Sequence, residues 1–497
     1  MNLENTNHAL IYPKSDAANK KSSIVYGDYI LSTGSILTKL VERKKLKKNV
    51  ENRLMNNKVI TVKDEEWMSL QSEIFIVILK NKNGLVRRQA RLKYIFNSNT
   101  IFESIKDILS GFRSYKVPFD QIGFHQLLVS SFVILEFCDN KSNKKADESL
   151  IDVMNADADS KESLNKLDTV ICVTTPFAHE SFFNTVNVSK VANIFGLNKC
   201  MLIISAPLVY GCEGGGVYDS NQKLIGIVIN TTFCWNNETA ILSLVADYRN
   251  IAREFLQRVT SRILKCPSSE PAPKCLMQRS VVLIQSGASW GTGCLLKVNG
   301  IRMIITCSHI IAVDALSTVT CFLKKTKFSS KVLYKNPKFN HAYDIAILEV
   351  PTNIPNNCFA EYATDRPQVG DGVYSVGFPH FSSLSTKIDS PSIYDGRITK
   401  LSKGMILADV NVQAGQSGCP LFSEDKKLLG VCISNSKDSV YNLVYPNISM
   451  AVPIYDIIPI LNEFSLSGDK NVLSQLEADD SVMDIWQLKP PQIISKL

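Results

Sequence analysis

The chain carries two copies of one pattern. Gly211-Cys212-Glu213-Gly214-Gly215-Gly216 is followed by Lys223-Leu224-Ile225-Gly226-Ile227. Later, Gly415-Gln416-Ser417-Gly418-Cys419-Pro420 is followed by Lys427-Leu428-Leu429-Gly430-Val431. The offset is constant at 204 residues (415−211, 427−223, 430−226). Pro176 and Pro379 lie 203 apart (379−176), close to the same register. Two copies at so long a period imply a duplicated domain rather than a solenoid. Upstream, Ser131-Phe132-Val133-Ile134-Leu135-Glu136-Phe137 mirrors Asp344-Ile345-Ala346-Ile347-Leu348-Glu349-Val350 at 213 residues (344−131), so loop lengths differ there. A chain of 497 residues, 45% hydrophobic, has enough apolar material for more than one domain.

The second copy holds residues that carry chemistry. Ser417 sits between Gly415 and Gly418, which permit the sharp backbone turn a nucleophilic serine needs. A Ser-Gly turn alone is equally well an ordinary hairpin turn, so the upstream residues decide. The apolar run Met303-Ile304-Ile305-Thr306-Cys307-Ser308 ends in His309, and Asp344 opens a second apolar run. A carboxylate at the start of a buried strand needs a partner. Histidine, aspartate and serine follow in that order with gaps of 35 and 73 residues (344−309, 417−344). Histidine takes the serine proton and returns it, and the aspartate fixes the imidazole tautomer. Gly415 and Ser417 supply the backbone N–H groups for an oxyanion.

Thr306-Cys307-Ser308-His309, Asp344-Ile345-Ala346-Ile347-Leu348 and Gly415-Gln416-Ser417-Gly418-Cys419-Pro420 resemble the three signatures of trypsin-like serine proteases over residues 278–462. Trp290-Gly291-Thr292-Gly293 and Met450-Ala451-Val452-Pro453-Ile454 are closer to the Deg/HtrA branch. The resemblance implies an all-β fold of tandem trypsin-like double β-barrels, the first degenerate, with a short helix and tail at the C-terminal end. One residue departs from the pattern: Cys419 stands where the family has glycine, and a side chain there is expected to tighten or shift the loop. The position six residues before the nucleophile, which often sets the base of the primary specificity pocket, is Asn411. Being uncharged, it does not support a strict Arg/Lys preference.

The first copy lacks these groups. Glu213 occupies the nucleophile position and Ser131 the acid position, and no T-x-x-H string precedes Ser131. His125 and His179 read as structural. Tyr29-Ile30-Leu31-Ser32-Thr33-Gly34-Ser35-Ile36-Leu37 reads as strand, glycine turn and strand, like the stretch around Gly293. The expected organisation is a degenerate domain over 1–262, a linker over 263–279, an active domain over 280–464 and a tail over 465–497. Prolines and small polar residues mark the linker, and 41–66 reads as a charged inserted loop or helix.

Thirteen singly spaced cysteines without a C-x-x-C pair indicate reduced thiols rather than a bridged framework. Six histidines without ligand spacing give no expectation of a metal site, and no cofactor is implied. The net charge of +8 is modest, and the basic run 43–48 has no accompanying nucleic-acid motif, so it reads as a solvated face. No apolar run reaches membrane-spanning length, and the polar start carries no secretory signal. Ser495-Lys496-Leu497 matches a peroxisomal targeting tripeptide, with Pro490-Pro491 holding it extended.

An inactive half, an active half and that tripeptide together resemble the peroxisomal leader-peptide-processing proteases. The resemblance implies a matrix endopeptidase acting on imported proteins. It also implies recognition by the targeting-signal receptor, cleavage between its own halves, and homo-oligomers. A catalytically inactive protease fold that only binds partners is the alternative reading.

Overall fold

The computed structural model describes residues 8–56, 59–61, 68–108, 113–114, 122–139, 150–152, 154–155, 164–235, 238–260, 276–287, 289–312, 318–338, 342–379, 390–438 and 443–486. Most of the expected linker and the tripeptide Ser495-Lys496-Leu497 lie outside these residues. The chain divides into two compact units, Met1–Pro271 and Ala272–Leu497.

Each unit holds two six-stranded antiparallel barrels. In the first barrel of the first unit, the order is Gly84–Asn97, Ile74–Asn81, His8–Pro13, Lys21–Tyr26, Tyr29–Thr33 and Ser131–Phe137. Pairing of Gly84–Asn97 with Ser131–Phe137 closes the ring. The second barrel runs Gly216–Tyr218, Thr169–Thr174, Thr185–Phe195, Met201–Ile204, Glu238–Asp247 and Leu224–Trp235, closing on Gly216–Tyr218. The second unit repeats the plan. One barrel runs Val281–Ser286, Ser289–Val298, Ile301–Cys307, Ile345–Glu349, Thr326–Lys335, Thr318–Leu323. The other runs Gly372–Gly377, Ser392–Ser402, Met405–Ala408, Leu443–Pro453, Leu428–Asp438, Pro420–Ser423. Closure leaves no unpaired edge, so these short β-branched strands need no covering layer. Ile304, Ile305, Ile347 and Leu348 are fully buried, as in a small barrel filled by its own side chains. The fold is all-β and trypsin-like, as the motifs implied.

Ladder registers identify equivalent positions in the two units. Thr33 pairs with Phe132 as Cys307 pairs with Ile345. Ser131 is therefore the counterpart of Asp344. This register corrects one sequence expectation. Tyr29–Thr33 corresponds to Ile301–Cys307, not to the stretch around Gly293, and Gly34–Leu37 is a 3-10 helix rather than a turn and strand. Gly34 is needed for close approach rather than for a turn: an added Cβ would lie 2.8 Å from the Leu128 carbonyl oxygen and 2.9 Å from Ser131 Cβ. Ser35 then holds the place of His309.

Helices cap the barrels. Thr38–Arg43 and Lys47–Met55 fall in the charged insertion and bury Leu40, Val41, Val50 and Leu54. Tyr248–Thr260 buries Tyr248, Ile251, Phe255 and Leu256. In the second unit Ile454–Ser467 continues through Pro459. The stretch after it differs from the expected polar tail. Lys470–Leu476 and Asp480–Trp486 form helical turns that bury Leu473, Leu476 and Val482. Those apolar residues are too widely spaced among polar neighbours to stand out in the sequence. Among the described residues no helix is long and apolar enough to cross a membrane.

Two histidines, His8 buried and His125 with its ring nitrogens enclosed, make the first unit acid-sensitive. His8 is 5% exposed, with Nε2 sharing a hydrogen bond with the Tyr218 hydroxyl at 3.1 Å and Nδ1 unpartnered. Burial pulls His8 down from 6.5 to about 4. His125, whose ring nitrogens are enclosed near Lys21 and Glu213, is pulled down to about 4 by burial first. Both stay neutral when folded and take a proton when unfolded between pH 6.5 and 4. Stability is thus complete above pH 6.5 and falls as pH drops toward 4, by up to about 3 kcal/mol per histidine. Chemical denaturation of the first unit across this range should show the decline, and His8→Gln should flatten it.

Candidate active site

The ladder places Asp344 just ahead of strand Ile345–Glu349, beside the turn Ser308–Ile310 that ends strand Ile301–Cys307. Backbone bonds fix this junction. The Ser308 N–H donates to the Asp344 carbonyl at 2.9 Å, and the His309 N–H donates to Asp344 Oδ1 at 3.0 Å. His309 Nδ1 hydrogen-bonds Asp344 Oδ2. The His309 side chain is 42% exposed and that of Asp344 13%. The carboxylate thus holds the Nδ1 edge of a ring that is otherwise half exposed, and Nε2 is the ring nitrogen it does not engage, as a general base requires.

Ser417 comes from the other barrel of the same unit, on the turn before strand Pro420–Ser423. Gly415 has φ +88°, and an added Cβ would lie 1.8 Å from Trp290 Cζ3. Gly418 has φ +80°, and its Cβ would lie 2.3 Å from the Thr292 carbonyl oxygen and 2.8 Å from Cys307 N. Only glycines allow the turn to lie this close to the strand leading to His309. The Thr292 N–H donates to the Ser417 carbonyl at 3.0 Å, and the Thr292 hydroxyl donates to the Gly415 carbonyl at 2.8 Å. Among the described residues the N–H groups of Gly415 and Ser417 have no partner, which leaves them free to meet an oxyanion.

Cys419, the departure from the family pattern, is packed inside the barrel. Its side chain is fully buried among the core residues of its own barrel. Gly377 lies opposite, where a Cβ would come within 2.9 Å of Cys419 Cβ, so the missing side chain at 377 provides the space. Burial, followed by the neighbouring Cys432, pushes the Cys419 thiol well above its ordinary value. It is an inert packing group. Asn411 is buried, and its Oδ1 accepts from Gln413 Nε2 at 3.3 Å.

Sequence reasoning missed the segment that clamps the Asp344 loop. Tyr343 precedes Asp344; its hydroxyl donates to Asp456 Oδ2 at 3.0 Å, and its ring meets Trp486 edge-on at 6.4 Å. Trp486 Nε1 donates to the Gly404 carbonyl at 3.0 Å, and Asn336 Nδ2 donates to the Tyr343 carbonyl at 2.6 Å. Burial raises both Tyr343 and Asp456. Nothing in residues 465–486 carries a motif, so only the fold reveals the contact.

The first unit keeps the frame and replaces the chemistry. Ser22 repeats Thr292: its hydroxyl donates to the Gly211 carbonyl at 2.7 Å and accepts the Thr175 N–H at 2.9 Å. Gly214 repeats Gly418, with a Cβ that would lie 2.0 Å from the Ser22 carbonyl oxygen. Glu213 holds the place of Ser417. Its carboxylate turns back and accepts from the Gly211 N–H at 2.9 Å and the Thr231 hydroxyl at 3.2 Å, and pairs with Lys21 Nζ at 3.1 Å. Gly211 is the equivalent of Gly415, so the N–H that could meet an oxyanion is already filled. Ser35 bonds Thr33 and Ser131 bonds the Leu127 carbonyl, neither facing Glu213.

Residues 291–431 match the family model described as a trypsin-like peptidase domain. With the paired barrels, the match makes the second half similar to trypsin-like peptidase domains. The chain is similar over 350 residues to the peroxisomal leader peptide-processing protease of Mus musculus, 26% identical, covering 63% of this chain and 58% of that protein. The Homo sapiens protein of the same name is 26% identical over 349 residues, with the same coverage. A probable periplasmic serine endoprotease, DegP-like, of Rickettsia conorii is 27% identical over 188 residues, 36% of this chain and 34% of that one. The chain spans about 58% of the length of the first two relatives.

Two outcomes follow from this geometry. Trp486→Ala should raise amide exchange at Ser308, whose N–H bonds the Asp344 carbonyl, more than in the rest of its barrel. Trp486→Phe should largely restore it. Glu213→Gln should leave Lys21 buried without its charge partner and lower the stability of the first unit by about 3 kcal/mol in thermal unfolding. The hydrogen-bond geometry at Gly415 and Ser417 should be unchanged by that substitution.

Proposed function

We propose that the second half is a serine endopeptidase acting through an acyl-enzyme. His309 is its base, Asp344 the group that orients the base, Ser417 the nucleophile, and the Gly415 and Ser417 N–H groups its oxyanion donors. The observation that carries this reading is the His309–Asp344 contact on a half-exposed ring, next to a serine turn that two close approaches restrict to glycine. The name shared by the two mammalian relatives supports a role in processing imported proteins in the peroxisome. Matrix location, recognition by the targeting-signal receptor, homo-oligomers and self-cleavage within 263–279 belong to the same proposal. The first half is a non-catalytic partner of this activity. The burial of Cys419 in its own core weighs against the alternative of a purely binding protein.

A fluorophosphonate should label the full chain at Ser417, and Ser417→Ala should abolish labelling. Peptide hydrolysis should fall by about three orders of magnitude or more in the same variant. Near-wild-type hydrolysis by Ser417→Ala would refute the assignment. Comparing fragments from the two proteins by mass spectrometry separates self-cleavage from simple exposure of the linker. Imaging a fusion with and without residues 495–497 tests the location.

A further inference from the structure

We propose that Cys307, His309 and Asp344 form a site for a thiophilic divalent cation of the zinc type, and that its occupancy switches the peptidase off. The inference deepens the reading of His309 as a base. One ligand atom from each of the three residues lies within 4.8 Å of the others. Nδ1 is the ring nitrogen that faces Asp344. Thiolate, imidazole and carboxylate are the donors zinc selects, and tetrahedral coordination sets them roughly 3.3–3.8 Å apart. The site reaches that spacing by movements on the order of 1 Å, the His309–Asp344 contact widening as the Cys307 thiol draws nearer. The half-exposed His309 ring can supply much of that movement. Cys307 gives up only weak contacts, its thiol donating to the Cys432 carbonyl at 3.5 Å. The exposed side of His309 is where a fourth ligand, such as water, would enter.

Charge and proton balance close in the complex, with the cation offsetting the burial that pushes the Cys307 thiol well above its ordinary value. Without metal, the His309 Nδ1 is engaged by Asp344 and Cys307 is a buried thiol. On binding, the Cys307 proton leaves to solvent and the imidazole proton moves from Nδ1 to Nε2. One divalent cation then faces one thiolate and one carboxylate, and the site is neutral. With Nδ1 on the metal and a proton on Nε2, His309 has no lone pair to accept the Ser417 proton. Inhibition thus follows from a change of tautomer, without any blockage of the substrate cleft.

Binding is read separately from catalysis. Full-length Ser417→Ala protein, titrated with cobalt(II), should give one thiolate-to-cobalt charge-transfer absorption that zinc displaces. Cys307→Ala and Cys307→Ser in that background should each lose it while keeping a cooperative unfolding transition. In the protein with Ser417 intact, zinc should slow fluorophosphonate labelling at least tenfold and a chelator should restore it. Cys307→Ala and Cys307→Ser, each compared with its own zinc-free rate, should need about tenfold more zinc. Absence of the cobalt band, or equal zinc sensitivity in the Cys307 variants, overturns the proposal. If Ser417 is never labelled even without zinc, the peptidase reading fails, and the cobalt titration still decides the metal site.

Discussion

One hydroxyl joins the two barrels of each unit at the point where chemistry can occur. In the second unit it belongs to Thr292. It donates to the Gly415 carbonyl and accepts the Phe378 N–H at 3.0 Å, while its own carbonyl receives the Thr306 hydroxyl at 2.7 Å. These bonds connect the strand before His309, the turn around Ser417 and the strand end at Phe378. All are buried, so losing one leaves an unsatisfied group at about 1–3 kcal/mol. The position of Ser417 relative to His309 thus depends on Thr292 more than on either residue's own contacts. The two glycines complete the arrangement, because Gly418 must pass within contact of Thr292 and Cys307.

The first unit separates this frame from the catalytic groups. Ser22, Ser32 and Thr175 reproduce the relay of Thr292, Thr306 and Phe378, with Ser32 donating to the Ser22 carbonyl at 2.8 Å. Gly211 and Gly214 reproduce the turn. The frame therefore has a packing role that does not need catalysis. Glu213 then becomes a structural group: an ionised carboxylate held by a backbone N–H, a hydroxyl and Lys21 is a satisfied buried charge. Lys21 was invisible as its partner in sequence, 192 residues away.

How much was legible follows from where the information resides. The barrels were legible because short apolar strands and glycine turns recur at one offset, and because three local strings each carry a known geometry. The pairing of Ser131 with the place of Asp344 was readable from strand pattern alone. The place of Ser35 was not, because Gly34 looks like a turn residue while its role is to pass close to Leu128 and Ser131. The fate of Cys419 was unreadable for a similar reason. Its space is provided by Gly377, which lies on a different strand and announces nothing. The 469–486 clamp uses isolated apolar residues whose partners are set only by the fold.

Local motifs report groups that act on substrate, whereas the groups that hold them in place are distributed. Asp344 illustrates the difference. Its carboxylate is identified by a string of apolar residues after it. Its position is set by the Ser308 N–H, by Asn336 through the Tyr343 carbonyl, and by Trp486 through the Tyr343 ring. Cys307 belongs to the same neighbourhood and is fully buried behind His309. A strand that must carry His309 outward at one end also turns its preceding side chain inward, toward Asp344. Placing a thiol there puts a soft ligand beside a histidine and a carboxylate. The arrangement that holds the His309 ring against Asp344 also brings the 307 side chain within reach of both, so the residue at 307 determines which donors a bound ion would meet.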